Sequence, residues 1–348
     1  MLMKKSKFLS ITLLFVLSIF TILAGCSSDD DKTSGGKDSK ELVVYSPNPI
    51  EFNEPLIKEF EDETGIKVEV ISAGAGELLK RIEAEGDNPL GDVMWGGSLS
   101  SLEPYVDYFE KYQSANEDKV IDEYKNDDGY ITRFSLVPSV IMVNKNLIGD
   151  KKIEGFADLL DKDLKGKIAF ADPSKSSSSF EHVINQLYAM GDGDPEKGWE
   201  YEEKLIKNLD QKLLSGSSAT YKGVADGEYA VGLTFEEPVV NYINDGAPVE
   251  IVYPKEGTIV KPDGVVIIKN AVNLENAKKF VDFITNEDSQ TMVANELSRR
   301  PVLSTVKIKE DIGMKPLSEI KLIQDDQEWS NKNKIAILDK YKEIFTSN

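Results

Sequence analysis

Cysteine occurs once in the 348 residues, as Cys26, and histidine once, as His182. A single cysteine excludes a disulfide framework, an iron–sulfur cluster and any CxxC zinc site. A single histidine excludes a His-rich metal centre and the two-histidine helix of a metalloprotease. Basic residues are the minority, 41 Lys and Arg against 61 Asp and Glu, for a formal charge of −20. That sign opposes binding to a phosphate backbone, so a nucleic-acid partner is not expected. With 40% hydrophobic and 29% charged residues, the composition is that of a soluble globular protein and excludes a polytopic membrane protein. No internal repeat is present. At roughly 150 residues per domain, the length predicts two lobes with a core each.

The start of the chain reads as an address. Lys4, Lys5 and Lys7 precede an apolar stretch from Phe8 to Ile22, which is short for a membrane span and quickly followed by polar sequence. The stretch ends at Leu23-Ala24-Gly25-Cys26, which resembles the bacterial lipobox, whose cysteine is lipidated and becomes the first mature residue. We therefore expect a signal peptide over 1–25, lipidation (palmitate included) at Cys26, and a location on the extracytoplasmic face of the cell membrane. Residues 27–40 carry no apolar side chain, and 26–40 read as a flexible tether.

The body alternates strand and helix. Leu42–Tyr45 is a short β-rich run, residues 51–64 carry apolar groups at 52, 56, 57 and 60, and Gly65 supplies a stop. A strand over 66–71, a helix through Leu78, Leu79 and Ile82, and a strand over 92–95 complete a β-α-β-α-β order, which argues for a parallel sheet. Further strands are expected over 137–143, 167–171, 229–235 and 264–268. Further helices are expected from Phe180, through Ala225, over 274–284 and over 289–297. In open α/β sheets ligands sit beyond the carboxyl ends of the strands. Five Ser- and Gly-rich loops fall at such ends: 46–49, 72–77, 96–98, 172–179 and 215–218.

Several of these stretches resemble extracellular solute-binding proteins of ABC importers. They are Val44-Tyr45-Ser46, the segment from Phe60 to Val68, Gly91-Asp92-Val93, the run 223–228, and the run 277–283. The resemblance spans about 42–305 and lies with the ferric-iron, phosphonate and sugar-phosphate branch. The Ser-rich segment from Phe170 to His182 resembles that of hexose-phosphate-binding members. The resemblance implies an α/β, type II periplasmic-binding-protein fold of two lobes joined by two hinge strands, with ligand in the cleft. We place lobe 1 at 41–136 plus 264–310 and lobe 2 at 137–263 plus 311–348. It also implies a monomer that works with an ABC permease and ATPase.

Iron-binding relatives use a histidine, a glutamate and adjacent tyrosines. The matching positions here are Pro49, Gly97, Glu237 and Pro238, a set that cannot hold Fe³⁺ in fixed geometry. The anion half of that site, a Ser-Gly-Ala turn at a helix start, becomes Ser176-Ser177-Ser178, with Ser217 nearby. That pattern suits a ligand carrying its own phosphate. Helix N-termini present free N–H groups and partial positive charge, so they suit an anion without lysines. The expected phosphate site is Ser176, Ser177, Ser178, Ser217, Ser218 and the backbone of Gly74, Ala75 and Gly76. A second set, on the sugar or hinge side, is Ser46, Asn48, Trp95, Ser98, His182, Glu236, Glu237, Arg133 and Arg300, beside Arg299. Glu236 and Glu237 suit sugar hydroxyls or an ammonium; Trp95 suits a sugar face or a core; His182 suits a ligand donor or a buried histidine. No catalytic residue, metal or cofactor is expected. The leading reading is capture of a hexose 6-phosphate. The alternatives are an organophosphonate such as 2-aminoethylphosphonate, a ferric-ion binder, a secreted phosphatase and an adhesive surface protein.

Overall fold

A computed structural model describes residues 39–347. The signal-peptide and lipidation expectations and all but the end of the tether lie outside the described residues. In chain order the elements are β1 (Glu41–Ser46), α1 (Ile50–Thr64), β2 (Lys67–Ser72), α2 (Ala75–Glu85), β3 (Val93–Ser98), α3 (Leu99–Leu102), β4 (Phe109–Glu110) and β5 (Thr132–Asn144). Then come β6 (Ile168–Ala169), α4 (Ser177–Met190), α5 (Pro195–Asn208), α6 (Ser217–Ala225), β7 (Val231–Phe235), α7 (Glu236–Asn244), β8 (Val249–Val252) and β9 (Val260–Ile268). The chain closes with α8 (Leu274–Ile284), α9 (Glu287–Asn295), β10 (Arg300–Pro301) and α10 (Gln327–Ser347).

The strands run in the order β2-β1-β3-β9-β5-β7-β6. β1 is parallel to β2 and β3, and β6 is parallel to β7. The middle differs from the all-parallel expectation, because β9 returns antiparallel against both β3 and β5. β5 is the long member. Its first half pairs with β9, and its second half, from Ser139, pairs with β7 and β8. Two apolar cores flank this crossing. One gathers Phe52, Phe60, Trp95, Phe134 and Phe280, and the other Phe156, Phe170, Phe180, Leu205 and Tyr341.

Local chemistry fixes the ends that matter for the cleft. α1 presents Phe52, Leu56 and Phe60 to the core at a spacing of four, and stops at Gly65, whose φ of 68° is left-handed and whose N–H donates to the Glu61 carbonyl. α4 begins at Ser177, three residues before the expected Phe180, because the Ser176 hydroxyl caps it by accepting from the Ser179 N–H. β9 begins at Val260 rather than Gly264. Pro262-Asp263-Gly264 reads as a turn, but two β-bulges absorb it, one between Trp95 and Ser98 of β3 and one between Arg133 and Ser135 of β5. Among the described residues, no helix is long and apolar enough to cross a membrane.

Candidate functional site

A cavity of about 450 Å³ lies where the helix starts converge beside the β5–β9 crossing. The N-terminal residues of α1, α2, α4 and α6 line it, each with its cap residue Pro49, Gly74, Ser176 or Gly216. So do ten serines, drawn from all five loops named from the sequence and from β5. Their hydroxyls are not all free. Ser176 Oγ lies 3.1 Å from Ser178 Oγ, and Ser218 Oγ accepts from the Tyr221 hydroxyl at 3.0 Å. No side chain caps the α6 N-terminus, so the first N–H groups of that helix face the cavity unsatisfied by a cap.

Of the expected phosphate set, Ser176, Ser177, Ser178, Ser217, Ser218, Gly74 and Ala75 line the cavity, and Gly76 does not. The glycine reading needs correction. The Gly76 N–H donates to the Lys175 carbonyl at 3.1 Å, and a Cβ on Gly74 or Gly76 would fall within 2.6 Å of the Lys175 or Ser174 carbonyl oxygen. The bare backbone of both glycines admits the loop before α4, and of the two only Gly74 also lines the cavity.

Of the second set, Ser46, Asn48 and Ser98 line the cavity. Ser46 and Asn48 are held by the scaffold, since Ser46 Oγ and Asn48 Nδ2 both donate to the Trp95 carbonyl. The structure removes the rest from the cavity. Trp95 is fully buried, edge-on to Phe134 and Phe280 at 5.4 Å each, so its ring faces no sugar. His182 is fully buried between Phe156 and Phe170, and its Nε2 donates to the Thr234 carbonyl. Arg133 donates to the Ile131 carbonyl and to Asn126.

Glu236 and Glu237 do not end a strand; they open α7, where a helix N-terminus favours acids. Each is neutralised by the neighbouring arginine pair. Arg300 donates from Nε and Nη2 to Glu236 at 2.7 Å, and Tyr253 donates to the same carboxylate. Arg299 donates from Nε to Glu237 at 2.9 Å and from Nη1 to Asn48 at 2.9 Å. Burial pushes the Glu237 carboxyl up and Arg299 pulls it back. These four side chains are less than 5% exposed. They form a buried brace, of which only Arg299 reaches the cavity.

Six charged groups that were not among the expected site residues also line it: Glu51, Glu77, Glu181, Lys222, Lys261 and Asp263. Lys261 is occupied by Asp325 at 2.6 Å and by Gln327. Lys222 is exposed on α6, four residues beyond Ser218, and among the described residues it has no ion pair or hydrogen-bond partner. Glu181 follows Ser177 by four on α4, a spacing that placed it on the serine face, and this was legible. Asp263 was hidden by the turn-like Pro-Asp-Gly. Among the described residues, no group of three or more His, Cys, Asp and Glu is placed to hold a metal ion.

The chain belongs to the bacterial extracellular solute-binding protein family, whose model matches residues 55–318. It is a binding protein of the ABC-importer kind, and not an enzyme. Among solved structures it is similar to the periplasmic binding protein AfuA of Actinobacillus pleuropneumoniae with exogenous fructose-6-phosphate bound. The TM-score is 0.81 and the identity 27%, over 88% of this chain and 99% of that one. Iron uptake protein A1 of a Synechocystis species is 28% identical over 88% of each chain. The spermidine/putrescine-binding periplasmic protein of Salmonella typhimurium is 25% identical over 73% of this chain and 76% of that one.

Proposed function

We propose that this protein captures a sugar phosphate of the hexose 6-phosphate type and delivers it to an ABC permease and ATPase. One observation carries the reading: serine hydroxyls and the N-termini of α4 and α6 converge on one cavity beside Lys222, a cation with no partner among the described residues. Charge-assisted hydrogen bonds contribute about 1.5–3 kcal/mol each. Four to six of them, less ordering costs, reach the ~8 kcal/mol of micromolar binding. The fructose-6-phosphate bound to AfuA supports the reading. Iron and polyamine ligands, suggested by the other relatives, fit less well. The cavity lining holds no tyrosine or histidine, and its ten serines and four helix N-termini outnumber the four carboxylates, Glu51, Glu77, Glu181 and Asp263, that a polyamine would need. A second reading, an aminoalkyl phosphonate, is favoured by the cavity carboxylates Glu181 and Asp263.

Calorimetry tests this with hexose 6-phosphates, 2-aminoethylphosphonate, free hexose and inorganic phosphate. Replacing Ser177 and Ser178 together by Ala weakens the hexose phosphate by about tenfold or more, and inorganic phosphate, where it binds, by a similar factor. Free glucose binding as tightly as its phosphate sinks the proposal. We further propose that lipid on Cys26 holds the protein at the extracytoplasmic face of the cell membrane by way of the polar tether. Cys26→Ser then appears in the medium or as uncleaved precursor, and undiminished lipid labelling of that variant counts against the anchor.

A further inference from the structure

Two carboxylates at the cavity carry valence that the protein leaves open. Glu181 is 4% exposed. Its Oε1 takes the Ser100 hydroxyl, and its Oε2, also buried, has no hydrogen-bond partner among the described residues. An acceptor oxygen buried without a donor costs on the order of 1–3 kcal/mol unless something fills the role. Asp263 of β9 sits between the bulges of its two neighbours, opposite Ser98 of β3 and Ser135 of β5. Bulges beside binding sites re-aim side chains. Its carboxylate meets Arg299 only at 3.8 Å, and among the described residues it accepts no hydrogen bond. Both groups line the same cavity as the α4 serines, with Glu181 one helical turn beyond Ser177.

We infer that Asp263 and Glu181 read the hydroxyls of the sugar, the role that Glu236 and Glu237 cannot fill because arginines occupy them. This rests on the sugar-phosphate reading and names its specificity determinants. Carboxylates discriminate strongly, because a ligand lacking the donor leaves a buried acceptor unpaired.

The test is calorimetry with glucose 6-phosphate, its 2-, 3- and 4-deoxy analogues, inorganic phosphate and 2-aminoethylphosphonate. On the native protein, at least one deoxy analogue binds about tenfold or more weakly than the parent. In Asp263→Asn or Glu181→Gln the parent weakens by a similar factor, the critical deoxy analogue loses little further, and inorganic phosphate is held as before. The deoxy series needs no variant to fold. Deoxy analogues that all bind the native protein as well as the parent overturn the inference, even if the serine double variant behaves as expected. Variants that lose inorganic phosphate as strongly as sugar phosphate overturn it too. Preference for 2-aminoethylphosphonate, abolished in Asp263→Asn, replaces the hydroxyl with an amine. Native protein that binds no hexose phosphate takes down the sugar-phosphate reading and this inference together.

Discussion

His182 lies in an aromatic cage, edge-on to Phe156 and Phe170, with no exposed surface. Burial pushes its imidazole down from 6.5 to about 4, and the hydrogen bond to Thr234 recovers only part of that. The unfolded chain therefore takes the proton before the folded one does. Stability is complete above about pH 6.5 and falls as the pH drops toward 4, by on the order of 3 kcal/mol across that window. Asp263 works in the opposite sense: burial first, opposed by Arg299, raises its carboxyl to about 6, so the fold binds that proton more tightly. The Asp263 contribution cancels when native protein and His182→Gln are compared at each pH. The difference between their urea midpoints is expected to shrink between pH 6.5 and 4, with the variant flatter. Parallel curves contradict the assignment. That His182 is a core residue was one of two readings open from the sequence. What decided between them, the Thr234 carbonyl, lies 52 positions away.

At the scale of elements, the start of α2 meets the loop before α4, backbone against backbone. A Cβ on Gly76 would lie 2.4 Å from the Ser174 carbonyl oxygen, too close for anything but displacement of the loop. Alanine is otherwise the better helix residue by about 1 kcal/mol. The two effects have opposite signs and act on different states. Gly76→Ala is expected to leave the ligand-free protein as stable or slightly more so by thermal unfolding. It weakens both hexose 6-phosphate and inorganic phosphate, since both need the cleft shut. Unaltered affinity shows that this contact is dispensable.

The strand–helix alternation around these loops was legible, because apolar spacing and glycine stops sit in the same local stretch, as in α1 and α8. Four helices were not read, the four-residue α3 among them. The starts of α5 and α7 were signalled, by Asp194-Pro195 and by Glu236-Glu237-Pro238, which suit a first turn. α10 carried Ile337, Tyr341 and Ile344 at helical spacing. The site divided the same way. Serines announced themselves as a run, whereas the Arg299–Glu237 and Arg300–Glu236 pairs join residues 62 and 64 apart. No local pattern reveals such partners. A buried pair of this kind also misleads the reader of a sequence, since each member looks available.

For the whole molecule the decisive feature is that few bonds span the cleft, and α10 carries several of them. Its second half buries Ile337 and Tyr341 in the core around Phe170 and Phe180. Its first half reaches the other side, where Lys334 Nζ donates to the Ser100 carbonyl at 3.1 Å and Asn331 donates to Glu103. Burial lowers Lys334 to about 8, with Glu181 opposing, so its ammonium is retained at neutral pH but held at a cost. Among the described residues, further bonds across are those from Ser100 to Glu181 and from Gly76 to Lys175, and, beside β10, the buried Arg299–Glu237 and Arg300–Glu236 pairs. Among the described strands, β5 and β9 run continuously past the cleft, and we take them as the hinge strands between the lobes. A handful of partly desolvated polar bonds gives little net stability, so closure depends on a ligand that touches both sides. Ligand-free protein is expected to scatter X-rays with a larger radius of gyration than this closed arrangement, and saturating glucose 6-phosphate shrinks it. Lys334→Met removes one bridge and one buried charge without touching the serines. It reaches the same final radius, but at a different ligand concentration from the native protein. An unchanged radius at saturation, starting from protein shown by mass spectrometry to be free of small molecules, means that capture occurs without hinge closure.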